Sequence, residues 1–219
     1  MQSSLLPLFP LEAVAFPGLA LPLHIFEERY KEMVRLCLDE GLPFGVLLIK
    51  QGVEAGGPAR PYDVGTTARI TAVVRLPEGR MNLVCAGGQR FRVTERIPGR
   101  PYMVGRVELL DAAPDAGPET SDLADTAAAL CAEYTRLRLA LAGQWARTLE
   151  MPGEPDRLAD FIASRLGVDN GTKQALLEEL SAYNRLSRET EILGEAIRYL
   201  TVRVRAAHLA RWRGFAVTN

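Results

Sequence analysis

The residue pattern changes near residue 112, and this change constrains the fold more than any other feature of the sequence. Before it, short apolar runs alternate with glycine and proline, as is typical of strands joined by turns. After it, apolar residues recur at intervals of three and four, as is typical of helices. The pattern predicts an α+β protein with a strand-rich subdomain at 1–112, a linker at 113–120 and a helical subdomain at 121–219.

Two segments of the first half carry clear strand signals. Residues 66–86 predict a β-hairpin in which Ile70, Ala72, Val74 and Leu76 share one strand face. The turn is Pro77-Glu78-Gly79, where glycine is free to take a positive φ. Further along, Phe91, Val93 and Ile97 alternate with Arg90, Arg92, Thr94 and Arg96, which predicts a strand with one solvated face. Many short strands of this kind favour a small barrel or sandwich.

One helix is predicted within the strand-rich half, over residues 26–38. Its apolar residues repeat at three- and four-residue spacing. The residues that face one side are Phe26, Tyr30, Met33, Val34, Cys37 and Leu38. Glu27, Glu28, Lys31 and Glu32 are expected to face away from them, and Gly41 is expected to end the helix.

The second half predicts helices throughout. One apolar stripe comprises Leu123, Ala127, Leu130, Tyr134, Leu137 and Leu141. A shorter helix follows Pro155, another resumes at Lys173, and the last is expected to run from about Arg185 to Arg213. At 1.5 Å per residue this last helix is about 40 Å long.

The supply of chemically reactive side chains is small. The 219 residues include only two histidines, His24 and His208, three lysines and three cysteines. No phosphate-binding loop, dinucleotide fingerprint or metal-ligand spacing is found, and the cysteines are expected to be buried free thiols. We therefore expect no catalytic residues, no cofactor and no metal.

The N-terminal segment lacks the basic and apolar regions of a signal peptide. Prolines interrupt the apolar stretch that follows, and no run in the sequence approaches the ~20 apolar residues of a membrane span. The sequence therefore predicts a cytoplasmic protein with no membrane partner.

Charge is distributed unevenly although the formal net charge is only −1. Residues 111–197 are strongly acidic, whereas residues 198–219 contain five arginines and no acidic residue. These arginines are Arg198, Arg203, Arg205, Arg211 and Arg213. They either complement the dipole at a helix C-terminus or form a docking strip for an acidic partner surface, including residues 111–197 of a second copy. The second interpretation predicts self-association through the C-terminal helix.

The order and spacing of several segments resemble the N-terminal substrate-recognition domain of the ATP-dependent Lon proteases. No single motif decides the resemblance, which covers nearly the whole chain. The segments are 6–11 (LPLFPL), 16–18 (FPG), 21–30 (LPLHIFEERY), 44–48 (FGVLL), 64–68 (VGTTA), 76–80 (LPEGR), 88–93 (GQRFRV), 101–102 (PY), 158–163 (LADFIA) and 173–178 (KQALLE).

This resemblance implies a PUA-like β-barrel with one inserted helix, followed by an all-α helical-bundle lobe that ends in a long helix. A full Lon protease continues into an ATPase module and a serine–lysine protease domain, and this sequence ends at Asn219 with neither. The resemblance therefore implies a non-catalytic module for protein quality control, with an adaptor role. Its expected ligand is an unfolded or extended polypeptide, or a partner protein.

A peptide-binding surface is expected either at an apolar groove between the two lobes or at a barrel edge strand. Within the resembling segments the candidate binding residues are His24, Arg29, Arg90, Arg92 and Tyr102. Phe16, Phe26 and Tyr30 are interpreted as fold-keeping residues that plug one end of the barrel.

RNA binding is the alternative function. Arg69, Arg75, Arg90, Arg92 and Arg96 could share one strand face, and PUA-like barrels in other families hold RNA. No aromatic residues alternate with these arginines, as a stacking platform for single strands would require. Nucleic acid is therefore the less favoured partner.

Overall fold

The computed structural model describes residues 3–54, 59–115, 117–145 and 149–215, and the side chains of residues 4 to 207 within them. Six strands and a helix precede four further helices along these ranges. The elements are β1 (Ser3–Leu11), β2 (Ala20–Ile25), α1 (Glu28–Glu40), β3 (Phe44–Gly52), β4 (Ala59–Arg75), β5 (Met81–Ile97), β6 (Met103–Leu110), α2 (Pro118–Leu141), α3 (Pro155–Arg165), α4 (Asn170–Glu178) and α5 (Ala182–Phe215).

The chain packs as two units. The first contains residues 1–113 and 163–180, and the second contains residues 114–162 and 181–219. Both units are discontinuous in sequence, because α4 packs with the strands and α5 packs with α2. The contiguous subdomains 1–112 and 121–219, with a linker at 113–120, stay a prediction.

In the first unit, β5, β4, β3, β1 and β6 pair in this order, and β6 pairs again with β5. These pairings form a closed ring in which β1 and β3 are parallel and all other neighbours are antiparallel. β2 pairs with β5 alone among the described strands, and Pro22 in its middle suits an edge position because proline cannot donate to a second ladder.

Two clusters of buried residues are found among the described residues of the first unit. One fills the ring, with Leu8, Leu47, Phe91 and Val107 completely or almost completely buried. The other lies between the sheet and α1, which contributes Tyr30, Met33, Val34 and Cys37. The rings of Phe9 and Tyr30 pack edge to face with centroids 4.3 Å apart, an arrangement that aromatic pairs favour.

The structure corrects the predicted orientation of two side chains around α1, Phe26 and Lys31. The helix begins at Glu28, and Phe26 lies outside it with 51% of its surface exposed, so Phe26 does not plug the ring. Lys31 is buried, where the pattern had placed it on the solvated face. Its ammonium group donates to Glu28 Oε1 at 2.6 Å and to the Glu78 carbonyl at 2.8 Å. The hairpin turn thus folds back onto α1, which no local pattern encodes. Phe16 and Tyr30 are buried as expected.

The hairpin itself is confirmed, because β4 and β5 pair as antiparallel strands and Gly79 has a φ of +69°. The prediction that Ile70, Ala72, Val74 and Leu76 share one face of its first strand is wrong. A register irregularity separates Ile70, which faces buried Cys85, from Ala72, which faces exposed Val84. This shift turns Ala72 and Val74 toward solvent.

The second unit is helical. Along α2 the buried face comprises Thr120, Ala124, Ala127, Cys131, Tyr134 and Leu137. Ala127, Tyr134 and Leu137 belong to the predicted stripe, whereas Leu123, Leu130 and Leu141 are only half-buried at its border. α5 has 34 residues, so the predicted long final helix is confirmed.

Candidate functional site

An apolar cavity of about 410 Å³ lies in the first unit, where residues of β1 and of the segment from the end of β5 to the start of β6 meet residues at the end of α1. We call it the apolar cavity; its lining is Leu5, Pro7, Leu36, Glu40, Leu42, Ile97, Pro98, Gly99, Arg100, Tyr102 and Val104. Leu5 is 59% exposed, so apolar surface is accessible at this site. A concave site of this size and lining suits an apolar side chain.

Tyr102 is the one sequence-predicted site residue that lines the apolar cavity. It is buried, and burial raises the pKa of its hydroxyl group because the phenolate would lose hydration. Nearby Arg100 opposes this effect in part. The tyrosine is therefore a neutral hydrogen-bonding group in a mostly apolar wall that also contains Glu40 and Arg100, and it has no charge of its own with which to attract a ligand.

A second accessible surface is the outer face of β2, β5 and β4. His24, Phe26, Val74 and Val84 are all exposed here, and the rings of His24 and Phe26 stack with centroids 5.9 Å apart. His24 Nδ1 lies 2.6 Å from Asn82 Oδ1, and Nδ1 is the donor because an amide oxygen only accepts. We call these residues the apolar sheet face. It includes β2, the edge strand.

A third surface is a groove of about 610 Å³ with a cationic lining, which we call the basic groove. Its lining is Lys50, Gln51, Arg60, Pro61, Tyr62, Asp63, Val64, Arg92, Val93, Arg96 and Glu178. The lining residues come from β3, β4, β5 and α4, and the pairing of Val64 with Arg92 brings the arginines of β4 and β5 together. Arg92 is the sequence-predicted site residue of this groove.

Arg90 and Arg29 lie elsewhere in the first unit. Arg90 is buried and its Nε donates to the Leu177 carbonyl of α4 at 2.9 Å, so the solvated position expected from strand alternation is wrong for this residue. Arg29 is half-buried; it donates to Glu27 at 3.0 Å and lies 4.5 Å from the Tyr30 ring centre. His24, Arg92 and Tyr102 thus belong to three different surfaces, and a single site formed by all five residues stays a prediction.

The predicted docking strip lies on α5. Arg198, Arg203 and Arg205 are exposed, and Tyr199 and Val202 between them are exposed as well. The side chains of Arg211 and Arg213 lie outside the described residues. Self-association through this strip stays a prediction.

Sequence reasoning missed most lining residues of the apolar cavity and of the basic groove. Each lining combines residues from separate segments of the chain, and strand pairing brings together distant residues such as Lys50 and Arg92. The one local signal was the spacing of Arg92 and Arg96, which places both on the same side of a regular strand.

Within the described ranges no group of three or more His, Cys, Asp or Glu side chains could hold a metal ion, and no described helix is both long and apolar enough to cross a membrane.

Comparison with known proteins identifies the family. A family model described as the ATP-dependent protease La (LON) substrate-binding domain matches residues 5–195. The chain belongs to this family. Among solved structures, the Lon N-terminal domain protein from Xanthomonas campestris matches this Lon substrate-binding domain with a TM-score of 0.61 and 30% identity, over 84% of this chain and 96% of that one.

Other relatives of this Lon domain are parts of much longer proteins. Lon protease 2 of Myxococcus xanthus is 30% identical over 191 residues, which are 86% of this chain and 23% of that protein. The Lon protease of Trichlorobacter lovleyi is 29% identical over 214 residues, 94% of this chain and 26% of that protein. The chain thus spans about a quarter of the Lon proteases it matches. The N-terminal domain of the Mycobacterium avium complex Lon protease shares the fold, with a TM-score of 0.60 and 19% identity over 87% of this chain and 98% of that one.

Proposed function

We propose that this chain recognises unfolded or extended polypeptide without performing catalysis, and that the apolar cavity receives an apolar side chain of the bound segment. The match of residues 5–195 to the LON substrate-binding domain carries the functional part of this proposal. The cavity is favoured as the site because it is concave, accessible and mostly apolar. Unfolded polypeptides differ from folded ones in the apolar side chains they display, so a cavity of this kind can discriminate between them.

Further features of the proposal concern the fold and the cellular role. The closed strand ring supports a PUA-like β-barrel, and family membership supports an adaptor role in protein quality control in the cytoplasm. The acidic composition of residues 111–197 supports docking of the α5 strip on a second copy of the chain.

The test compares wild-type protein with two matched variants, Leu5→Glu and Val74→Glu. Leu5 lines the apolar cavity and Val74 belongs to the apolar sheet face, and each is 59% exposed, so both variants are expected to fold. Binding of a labelled, reduced and alkylated polypeptide is measured by fluorescence anisotropy, with the native form of the same protein as the folded control.

The expected result is that wild type binds the unfolded form in preference to the folded form, and that Leu5→Glu weakens this binding about tenfold or more because a carboxylate must be desolvated at the cavity. Val74→Glu leaves the affinity unchanged. If Val74→Glu weakened binding and Leu5→Glu did not, the binding site would be the apolar sheet face instead of the apolar cavity. An equal affinity of wild type for the folded and unfolded forms would refute the proposed function.

A further inference from the structure

The cations of the basic groove are only partly neutralised. Arg96 donates to Asp63 Oδ1 at 2.6 Å and to the Pro61 carbonyl at 3.4 Å. Lys50, Arg60 and Arg92 have no ion-pair partner among the described residues, and the Lys50 ammonium group lies 5.5 Å from the centre of the Tyr62 ring. Three exposed cations along one concave surface produce a positive potential, which favours an anionic ligand.

Two features of the basic groove favour a peptide over a nucleic acid as its anionic ligand: the carboxylates in its lining and its single aromatic residue. Two carboxylates, Asp63 and Glu178, line it together with the cations, and Gln174 Nε2 holds Glu178 Oε1 at 2.8 Å. A nucleic acid carries a phosphate at every residue and meets these carboxylates along its whole length, whereas a peptide can place its acidic side chains at the arginines and its backbone amide groups, which are hydrogen-bond donors, at the carboxylates. Tyr62 is the one aromatic residue of this lining, and a single ring beside Lys50 does not form a stacking platform for successive bases.

Arginine is well suited to bind carboxylates, because its planar guanidinium group can donate two parallel hydrogen bonds to one carboxylate. Arg60 is exposed near the start of β4, and Arg92 is exposed on β5 opposite Val64. Aspartate and glutamate side chains on an extended peptide could therefore pair with these arginines while the peptide follows the groove.

We propose that the basic groove binds acidic segments of polypeptides, with Arg60 and Arg92 as carboxylate contacts and Lys50 as a supporting charge. This inference rests on the proposed function and adds a substrate preference to it. Recognition would then use two separate surfaces of the first unit, the apolar cavity for an apolar side chain and the basic groove for acidic ones.

The experiment uses the full chain and two labelled peptides of equal length. One is rich in aspartate, and in the other every aspartate is replaced by asparagine. Wild type is compared with the double variant Arg60→Glu/Arg92→Glu by fluorescence anisotropy at low and at high salt. Arg75→Glu is the control, because Arg75 is an exposed arginine at the other end of β4 and does not line the groove.

We expect wild type to bind the aspartate peptide about tenfold more tightly than the asparagine peptide, and this preference to fall as salt rises. The double variant loses the preference and keeps its affinity for the asparagine peptide, whereas Arg75→Glu behaves as wild type. Circular dichroism checks that the variants are folded, and Arg60→Gln/Arg92→Gln provides a milder removal of the same charges.

Three outcomes overturn the proposal. If wild type binds both peptides equally while the unfolded polypeptide still binds, the acidic preference is wrong and the proposed function stands. If neither peptide nor the unfolded polypeptide binds, both are wrong. If the aspartate peptide does not bind and a single-stranded RNA does, with loss of that binding in the double variant, the groove is a nucleic-acid site.

Discussion

Arg185 on α5 donates from Nη1 to Oδ1 of Asp160 on α3 at 2.6 Å, and the two side chains are 0% and 2% exposed. Nη2 of the same guanidinium group donates to Asp156, which is partly exposed. One cation is thus shared by two carboxylates at successive turns of α3. This arrangement fixes the pairing of α3 with α5 within the second unit, and no apolar pattern in the sequence indicates it.

Replacing Arg185 by leucine is expected to destabilise the second unit strongly. The change removes the guanidinium partner of Asp160 while that carboxylate stays buried, and breaking a buried ion pair in this way costs about 3–5 kcal/mol. Chemical unfolding followed by circular dichroism measures the free energy of unfolding. Arg188→Leu is the control because Arg188 is an exposed arginine on the same helix, and it is expected to change stability by less than about 0.5 kcal/mol. Equal stabilities for both variants would show that the ion pair adds nothing.

Gly65 is expected to tolerate no side chain. A Cβ atom at this position of β4 would lie 2.1 Å from the Val46 carbonyl oxygen of β3, so the strand backbones would have to separate. Gly65→Ala is therefore expected to lower the free energy of unfolding by about 1–3 kcal/mol or more. Gly153→Ala serves as the control because no atom lies within 4 Å of its Cβ position. Unfolding curves that coincide for wild type and Gly65→Ala would contradict this account of the β3–β4 contact.

The folded protein is expected to lose stability at alkaline pH because of the buried thiols of Cys37 and Cys85. Burial raises the pKa of each from its ordinary value of 9.0 to about 11, with further contributions from Glu40 at Cys37 and from Cys37 at Cys85. Between these values the thiols ionise in the unfolded chain and stay protonated in the folded one, so the free energy of unfolding decreases as the pH rises from 9 to about 11. The stabilisation is fully present below pH 9.

The measurement is the free energy of unfolding as a function of pH for wild type and for Cys37→Ala/Cys85→Ala. The double variant is expected to be less stable at neutral pH because of the cavities it creates, and to show a flatter decline above pH 9. Other groups titrate in this range in both proteins, so only the difference between the two slopes is informative. Parallel curves would mean that the thiols do not ionise differently in the two states.

Much of the strand framework could be predicted, because alternation along a strand reports burial directly. Phe91 and Val93 of β5 are buried, as their alternation with charged residues implied. The prediction failed at Val74, where a register irregularity in β4 reverses which side chains face solvent. A single inserted residue changes the face of every later position, and nothing in the local composition indicates where it occurs.

The candidate site was less predictable than the fold, because its residues meet through long-range packing. Arg90 has the local pattern of a solvated residue, yet the carbonyl that it binds belongs to Leu177 of α4, which lies 87 residues later. Lys31 is likewise buried through a distant contact, because its ammonium group donates to the carbonyl of Glu78 in the hairpin turn. Both side chains bury their aliphatic parts and satisfy their charged ends with polar partners, an arrangement that only the tertiary structure determines.

The exposed arginines of α5 lead to a prediction about oligomeric state. If Arg198, Arg203 and Arg205 dock on an acidic surface of a second copy, changing all three to glutamate places like charges across that interface. The expected result is a shift from dimer to monomer in light scattering coupled to size-exclusion chromatography. Higher salt is expected to produce the same shift in wild type, since exposed charge pairs are screened.

The control for this variant reverses three exposed arginines elsewhere, Arg75, Arg100 and Arg188, so that the net charge changes equally. This control is expected to keep the wild-type mass, because a change in net charge alone weakens association far less than repulsion across a contact. A wild type that is monomeric at all concentrations tested would refute the docking of α5 on a second copy. The five arginines after residue 197 would then be explained by the dipole of the long helix.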